Sequence, residues 1–338
     1  MQHLLTNGPL LDSKGNLTEG GYAFSLVKDY KREAIKANKL RIKEWDYYYF
    51  GNEEYGVGLT IDDNGYMSLA SISFLDFKNK TQVTKSPMGI MPLGKVNLPP
   101  TSKTGDVSLS YKGTDMAFYN DGKSRRLVCH MDDFIDGLPF DCDLKITDHN
   151  DDTMVIATPF NKKKHFYYNQ KINDLEANGI ITIGKKVYNV NKWYGVLDWG
   201  RGVWTYKQTW FWSSLSGESD GHLIGFNLGY GFGDTSSASE NMFFLDKKGY
   251  KLEDVVFKIP TKDGKDDFLS NWKIESASKD IDLTFTPILN RRCYTNALII
   301  ASFQNQVFGR FSGYVTADKK KIRIDNVLAF AEKVYNKW

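Results

Sequence analysis

The chain has 338 residues, of which 41% are hydrophobic, 44 are basic and 41 are acidic. This length suits two domains of ordinary size, and the composition is that of a globular chain rather than a disordered one. A net charge of +3 without any stripe of basic and aromatic residues argues against nucleic acid as a partner. No apolar run reaches membrane-spanning length and the start shows no secretion signal, so we expect a cytoplasmic protein.

Motifs for metals, cofactors and nucleophiles do not appear. The three cysteines have no CxxC spacing and are odd in number, which indicates neither a disulfide framework nor a zinc site. The segment GYGFGD, Gly229–Asp234, does not match the GxGxxG pattern of dinucleotide-binding loops. No GxSxG nucleophile motif occurs. We therefore expect no metal and no cofactor, and a small molecule as the partner.

In chain order, residues 1–40 predict an irregular start with one short helix over Leu26–Ala37. Short alternating segments bounded by Gly, Asp and Asn follow, which is the pattern of antiparallel strands. The segment Lys171–Lys192 shows no distinctive pattern, and we predict that it is a seam, the boundary between two domains of residues 1–175 and 176–338. Strand signals then resume to the C terminus. The prediction is a mainly β protein of two tandem antiparallel β-barrels with a few short helices.

The stretch Val196–Ser214 contains four tryptophans and predicts one long strand. Alternate side chains of a strand share one face. Such an aromatic face is either core, as most aromatic stripes are, or the floor of a binding site. The even-numbered positions that would share this face are Asp198, Trp204, Tyr206, Trp210 and Trp212.

Asp198 and Arg201 lie in a glycine-flanked turn beside these rings. An aromatic enclosure would desolvate the carboxylate of Asp198 and raise its pKa, which suits a general acid. Alternatively, Arg201 pairs with Asp198 and the pair is structural. The sequence leaves both interpretations open.

The next strand, within His222–Asp234, predicts one face almost without side chains, on which Asn227 is the polar exception. Such a face requires the close approach of bulky neighbours or of a ligand. After the following turn, Glu240 offers a second carboxylate for the same barrel mouth, next to Asn241. Two carboxylates in different environments can divide acid and base work. His165, in a basic loop near Tyr168 and Lys171, is either solvated or part of a pocket.

Several motifs resemble the family known as domain of unknown function 2804: LDWGRGVW, TWFW, GFNLGYGFGDTSSASEN, QVFGRFSGYV and AEKVYNKW, with LRIKEWDYYYF, MGIMPLG and FYYNQK in the first half. That family looks related to carotenoid hydratase (hydroxyneurosporene synthase) and AttH-like proteins. The resemblance implies tandem lipocalin-like barrels but no established activity. The chain departs from the family at Tyr167–Asn169, where HYT is common, and at Phe311, where tryptophan is common. The motif residues carried over are Trp45, Asp46, Asp198, Trp199, Gly200, Arg201, Gly202, Trp204, Asn227, Asp234, Glu240, Asn241, Gly309, Glu332, Asn336 and Trp338.

Two functions follow. In the first, an enzyme performs hydration, isomerisation or elimination on a small apolar or ring-containing ligand in the C-terminal barrel, and glycoside cleavage is its rival. Asp198 or Glu240 would donate the proton and Arg201 would orient a polar group. In the second, the protein is a carrier with a lipocalin-like cavity. In a third possibility, side chains fill both barrels and the protein is purely structural. The predicted ligand-binding residues are Trp199, Trp204, Tyr206, Trp210, Trp212, Asn227, Asn241 and Tyr168.

Overall fold

The fold is that of a computed structural model, which describes residues 2–297 and 300–337. Strands dominate this part of the chain, and its helical structure is limited to two short 3-10 helices, Arg32–Ala34 and Lys39–Arg41. None of the described helices is long and apolar enough to cross a membrane. The predicted mainly β class is confirmed.

The strands are numbered in chain order. Those of the first half are β1 (Gly8–Pro9), β2 (Gly21–Ala23), β3 (Lys28–Asp29), β4 (Ile42–Gly51), β5 (Tyr55–Asp63), β6 (Met67–Asp76), β7 (Thr81–Lys85), β8 (Met88–Ile90), β9 (Val107–Ser110), β10 (Thr114–Asn120), β11 (Arg125–Ile135), β12 (Leu138–Thr147), β13 (Met154–Pro159), β14 (Phe166–Ile183) and β15 (Lys186–Val203). Those of the second half are β16 (Lys207–Ser219), β17 (His222–Tyr230), β18 (Met242–Leu245), β19 (Lys248–Lys251), β20 (Val255–Lys258), β21 (Thr261–Lys262), β22 (Lys265–Asp266), β23 (Trp272–Ser276), β24 (Ile281–Ala297), β25 (Ile300–Ala317) and β26 (Lys320–Lys337).

Each half forms one large curled antiparallel sheet, and β1–β3 and β21–β22 form separate two-stranded sheets. The first sheet has the order β7-β6-β5-β4-β15-β14-β12-β11-β10-β9, with β13 and β2 added beside β14 and β8 beside β6. The second has the order β19-β18-β17-β16-β26-β25-β24-β23-β20. In both sheets the first long strand of the half pairs with the last, β4 with β15 and β16 with β26. Each sheet also curls back on itself, so that edge strand β9 comes near β5 and edge strand β20 comes near β17, which gives the tandem barrel arrangement.

The segment predicted as a seam lies within the first sheet of the structure. Lys171–Lys192 forms much of the long hairpin β14–β15, so a boundary at residues 175–176 falls inside a strand of the first sheet. The chain passes from the first sheet to the second at residues 204–206. The sequence of this segment shows no distinctive pattern because the far end of the hairpin is solvent-exposed and carries charged and polar residues. That the two halves are separate domains remains a prediction.

The helix predicted over Leu26–Ala37 is wrong. Strand β3 pairs in parallel with β1 there, and only a single 3-10 turn follows. Side chains of this segment make tertiary contacts instead: Lys28 pairs with Glu19, and the Tyr30 hydroxyl donates to Glu44 Oε1 of β4 at 2.6 Å. Such tertiary contacts override a weak helix propensity.

A third apolar layer lies between the outer faces of the two sheets, apart from the interior of each barrel. Strand β4 explains how it forms. Its even-numbered residues, such as Tyr48, face the first barrel, and its odd-numbered residues, such as Tyr47 and Tyr49, face the second sheet. The Tyr49 ring lies 5.1 Å from Phe308 and 5.5 Å from Phe330. An uninterrupted apolar run in a strand is typical of burial on both faces.

A β-bulge in β14 joins the two sheets. The pairing of β14 with β15 shifts between Ile172 and Leu175. The bulged Asn173 donates from Nδ2 to the carbonyls of Leu215 at 3.0 Å and Phe226 at 2.9 Å. Asp174 then lies against Gly225, where an added Cβ would be 2.6 Å from both carboxylate oxygens.

Burial raises the pKa of Asp174 from 3.8 to about 8. The folded state therefore keeps a proton that the unfolded chain loses near pH 4. The resulting stabilisation is complete below that pH and is lost as the pH rises through about 8. Asp174→Asn keeps the neutral shape, so we expect its melting temperature to fall less than that of the wild type between about pH 5 and about pH 9. Asp115→Asn, at an exposed position, should follow the wild type; an Asp174→Asn curve parallel to the wild type would contradict the assignment.

Candidate active site

The aromatic stretch predicted as one strand is two strands in different sheets. Strand β15 ends at Val203 and β16 begins at Lys207. Asp198 belongs to the first sheet, whereas Trp210 and Trp212 belong to the second. The alternation continues across the break because both strands bury the same set of positions between the sheets. The candidate site therefore lies between the barrels, not inside the C-terminal barrel.

Lys171 on β14 is the centre of this site. It lies directly opposite Asp198 on β15, and its Nζ is 2.7 Å from Asp198 Oδ1. The same ammonium lies 3.9 Å from the centroid of the Trp212 ring, in the second sheet. Only 3% of the Lys171 side chain is exposed. A buried ammonium requires partners of this kind, so Lys171 joins the two sheets electrostatically.

Asp198 has one fixed oxygen and one open oxygen. Oδ1 accepts from Asn169 Nδ2 at 2.6 Å as well as from Lys171. Among the described residues, none donates a hydrogen bond to Oδ2. Charge-assisted bonds of this type are stronger than neutral ones and fix the orientation of the carboxylate. Asp198 is therefore oriented as an acceptor of protons.

Glu240 reaches the site through a short chain of hydrogen bonds. Trp212 Nε1 donates to Asn227 Oδ1 at 2.6 Å, and Asn227 Nδ2 donates to the Glu240 carbonyl at 2.7 Å and to Oε2 at 3.3 Å. The carboxylate covers the bare face of β17 at Gly229, where a Cβ would be 2.6 Å from Oε1. Burial raises the pKa of Glu240, and the charge of Lys171 opposes this rise.

Glu332 on β26 is the third carboxylate. It lies opposite Trp212 across the β16–β26 pair. Its Oε1 accepts from Trp210 Nε1 at 3.0 Å, and its Oε2 accepts from Gln306 Nε2 at 3.2 Å. Burial raises the pKa of Glu332 from 4.5 to about 7, and the negative charge of Asp198 contributes to the rise while Lys171 opposes it. Glu332 is thus poised to exchange a proton near neutral pH.

Aromatic rings surround the three carboxylates. Trp45 stacks on Tyr167 at 6.1 Å and meets the edge of Trp204 at 5.2 Å. Trp204 in turn contacts Trp210 at 5.8 Å. The site is largely buried, since each of the following keeps only between 6% and 8% of its surface exposed: Tyr47, Tyr167, Asp198, Trp212, Glu240 and Glu332.

The profile of the domain of unknown function family DUF2804 matches residues 2–338. The chain belongs to DUF2804. Its structure is similar to that of an AttH-like protein from Nitrosomonas europaea, with 12% identity, coverage of 89% of this chain and 94% of that chain, and a TM-score of 0.52. It also resembles kievitone hydratase from Nectria haematococca, with 12% identity, 88% coverage of each chain and a TM-score of 0.47. No curated protein matches the sequence. At such identities the likeness concerns the fold alone.

Eight of the sixteen DUF2804 motif residues fall into two groups, one between the sheets and one inside the first barrel. The side chains of Trp45 and Asp198, with Asn227, Glu240 and Glu332 of the second half, lie between the sheets, as described above. Arg201 and Trp199 lie inside the first barrel with Asp46. The motif residue Trp338 lies outside the described residues.

Arg201 is therefore not a partner of Asp198, and the hypothesis of a structural pair between them is wrong. Arg201 Nη1 is 2.9 Å from Asp46 Oδ1, and Nη2 donates to the Pro99 carbonyl at 2.8 Å. Its guanidinium lies 4.3 Å from the Trp199 ring centroid. The physical reason is alternation: positions 198 and 201 differ by an odd number and point to opposite faces of β15. Neither Arg201 nor Trp199 lies among the three carboxylates.

Three further predicted ligand-binding residues are engaged in structural contacts. The Tyr168 hydroxyl donates to the Lys28 carbonyl at 3.1 Å inside the first barrel. Tyr206 is 43% exposed, with the Arg41 guanidinium 5.3 Å above its ring. Asn241 Oδ1 accepts from the Gly229 amide at 2.7 Å and holds the turn that carries Glu240. These side chains have structural partners where they lie.

His165 is buried rather than solvated, because its Nδ1 lies 2.9 Å from the Trp204 carbonyl. Burial lowers its pKa, and Lys162 adds to this effect. His165 thus holds the connection between the sheets from outside the cluster of carboxylates. Within residues 2–297 and 300–337, no group of three His, Cys, Asp or Glu side chains is placed to hold a metal ion.

Sequence reasoning missed Tyr47 and Tyr167 as site residues; it named Lys171 only as a possible pocket neighbour of His165, and Glu332 only through the family resemblance. Lys171 lies in the segment predicted as a seam, and nothing local marks it as buried. A signal does exist in β14: Tyr167, Asn169 and Lys171 alternate, and so share the face that meets Asp198. The remaining contacts join residues that are far apart in the chain, so no local pattern predicts them.

Proposed function

We propose that this protein is an enzyme that catalyses hydration, elimination or isomerisation of a small apolar or ring-containing molecule between its two sheets. The convergence of Asp198, Glu240 and Glu332 around Lys171 carries the proposal. Acid–base catalysis needs one group that holds a proton and another that can accept one, and different environments divide these roles between carboxylates.

Asp198 is the proposed base. Lys171 and Asn169 hold its Oδ1, which leaves Oδ2 to take a proton from water or substrate. Glu332 is the proposed acid, because with a pKa of about 7 a large share of it is protonated at neutral pH. In a hydration, Glu332 protonates an alkene carbon, and water adds to the resulting cation while Asp198 accepts the proton of that water. Proton exchange with solvent then restores both carboxyl groups.

The walls of the site agree with an apolar substrate. Rings of Trp45, Tyr167, Trp204 and Trp210 enclose the carboxylates and exclude bulk water. Low polarity strengthens electrostatic interactions with a developing charge. Lys171 covers one face of Trp212, so the rings left for contact with the substrate are those nearer Glu332.

The test is incubation of wild type, Asp198→Asn and Glu332→Gln with a metabolite extract, followed by untargeted mass spectrometry. We expect the wild type to consume a compound whose mass changes by one water or stays constant. Both variants should be slower by about 100-fold or more, which is the usual contribution of a general acid or base. Asp246→Asn is the matched control, because that carboxylate pairs with His222 on the surface.

Two results would overturn the proposal. Equal retention of one ligand by all proteins, with nothing consumed, would identify a carrier. Release of a sugar would identify glycoside cleavage by the same carboxylates. Circular dichroism of each variant separates lost chemistry from lost folding.

The pH dependence of turnover follows from the acid. The donating form of Glu332 disappears as the pH rises through about 7. We therefore expect the wild-type rate to fall over this range, as measured on the compound found above. A rate that rises through neutral pH to a plateau would exclude Glu332 as the acid.

A further inference from the structure

Large apolar side chains are exposed together at one end of the first sheet. Four belong to the motif MGIMPLG, Met88–Gly94, and one to the segment before β4. We call this set the apolar tip. Its members, with their exposed fractions, are Leu40 (38%), Met88 (54%), Ile90 (85%), Met91 (46%) and Leu93 (38%).

The apolar tip is held in place by the backbone. Strand β8 pairs with β6, so that Met88 is opposite Leu69 and Ile90 is opposite Met67. The amide of Met91 donates to the Tyr66 carbonyl at 2.9 Å. These bonds present the apolar side chains on an ordered edge of the sheet.

Leu93 and Leu40 join the tip at the same turn. The Leu93 amide donates to the Gly65 carbonyl at 3.1 Å, and a Cβ at Gly65 would lie 3.1 Å from Leu40 Cα. Met91 and Leu93 both have positive φ, 54° and 53°. Large side chains rarely adopt this conformation, which persists only where surrounding bonds impose it. The chain thus accepts backbone strain while exposing apolar side chains.

Positive charge surrounds the apolar tip. Residues 36–41 and 85–95 together contain five Lys or Arg and no Asp or Glu, although the whole chain is nearly balanced, with 44 basic and 41 acidic residues. Lys39, Lys85 and Lys95 are exposed beside the tip. Apolar side chains flanked by lysines match the chemistry of an anionic membrane surface, where acyl chains lie beneath negative headgroups.

We propose that the apolar tip inserts into the interfacial region of membranes that contain anionic lipids. A second copy of this chain is a poorer occupant, because a symmetric contact between two tips would bring their lysines together. The proposal is independent of the proposed enzymatic function.

The test is co-sedimentation of the protein with vesicles of phosphatidylcholine containing about 30% phosphatidylglycerol, compared with vesicles of phosphatidylcholine alone. We expect binding to the anionic vesicles that weakens as salt is added. Ile90→Ser combined with Met91→Asn should reduce binding by about tenfold or more, since it removes the most exposed apolar contacts. Asparagine tolerates the positive φ at position 91.

Leu269→Ser is the matched control, because Leu269 is 61% exposed and lies in the second half of the chain. Its binding should equal that of the wild type. Lys85→Gln combined with Lys95→Gln should weaken binding to anionic vesicles only. The proposal would be overturned if the wild type did not bind the vesicles. It would also be overturned if the variant with Ile90→Ser and Met91→Asn bound equally well and kept an unchanged circular dichroism spectrum. A wild-type dimer that dissociates on Ile90→Ser without any vesicle binding would assign the tip to self-association instead.

Discussion

Replacing Lys171 by methionine is expected to lower the free energy of unfolding by about 3–5 kcal/mol, the usual result of removing one partner from a buried ion pair. Methionine keeps the length of the side chain but removes the charge. Asp198 would keep only its bond from Asn169, and the opposing positive charge near Glu240 and Glu332 would be lost. Urea denaturation near neutral pH measures the effect.

Lys192 provides a matched control. Its Nζ is 2.6 Å from Glu218 and lies 5.5 Å from the Tyr194 ring centroid, so it repeats the carboxylate and aromatic partners of Lys171 at an exposed position. Lys192→Met should leave stability nearly unchanged, because exposed ion pairs contribute little. Equal effects of the two substitutions would show that Lys171 is not a buried link between the sheets. Adding Asp198→Asn to Lys171→Met should recover part of the loss, because it removes the unpaired charge.

Gly200→Ala is expected to destabilise the protein by about 1–3 kcal/mol, the cost typical of an extra methyl group in a packed core. A Cβ at position 200 would overlap the indole of Trp45, which lies directly opposite on β4. The glycine therefore allows Trp45 to cover β15 and to reach Tyr167 and Trp204. Thermal and urea unfolding give the size of the loss.

Gly58→Ala tests whether the effect is specific to this site. Gly58 is also in a strand of the first sheet, but an added Cβ there meets Tyr47 at an ordinary 3.4 Å. We expect it to be tolerated. If the Gly200→Ala and Gly58→Ala variants were equally stable, Trp45 would have room to move and the proposed wall of the site would be flexible. The cost of Gly200→Ala should shrink when it is measured in a Trp45→Leu background, since the smaller side chain removes the overlap.

The strands could be predicted from the sequence because side-chain alternation is a local property. Alternation placed Asp198 on the face of the buried aromatic residues, and it also places Arg201 on the other face. The bare face of β17 predicted close neighbours, which the structure identifies as Asp174 and Glu240. The tandem β arrangement followed from strand spacing and from family motifs, and the two curled sheets and the similar fold of the AttH-like protein confirm it.

Only the tertiary structure decided which strands belong to which sheet, and therefore what each face meets. The turn at residues 204–206 moves the chain to a second sheet without interrupting the alternation, so a single strand was the local interpretation. Lys171 reaches Trp212, and Trp210 reaches Glu332, across long separations in the chain. Local patterns predict which side chains are buried, but pairing between distant strands decides which charges meet, because burial on one face can be satisfied by any apolar partner.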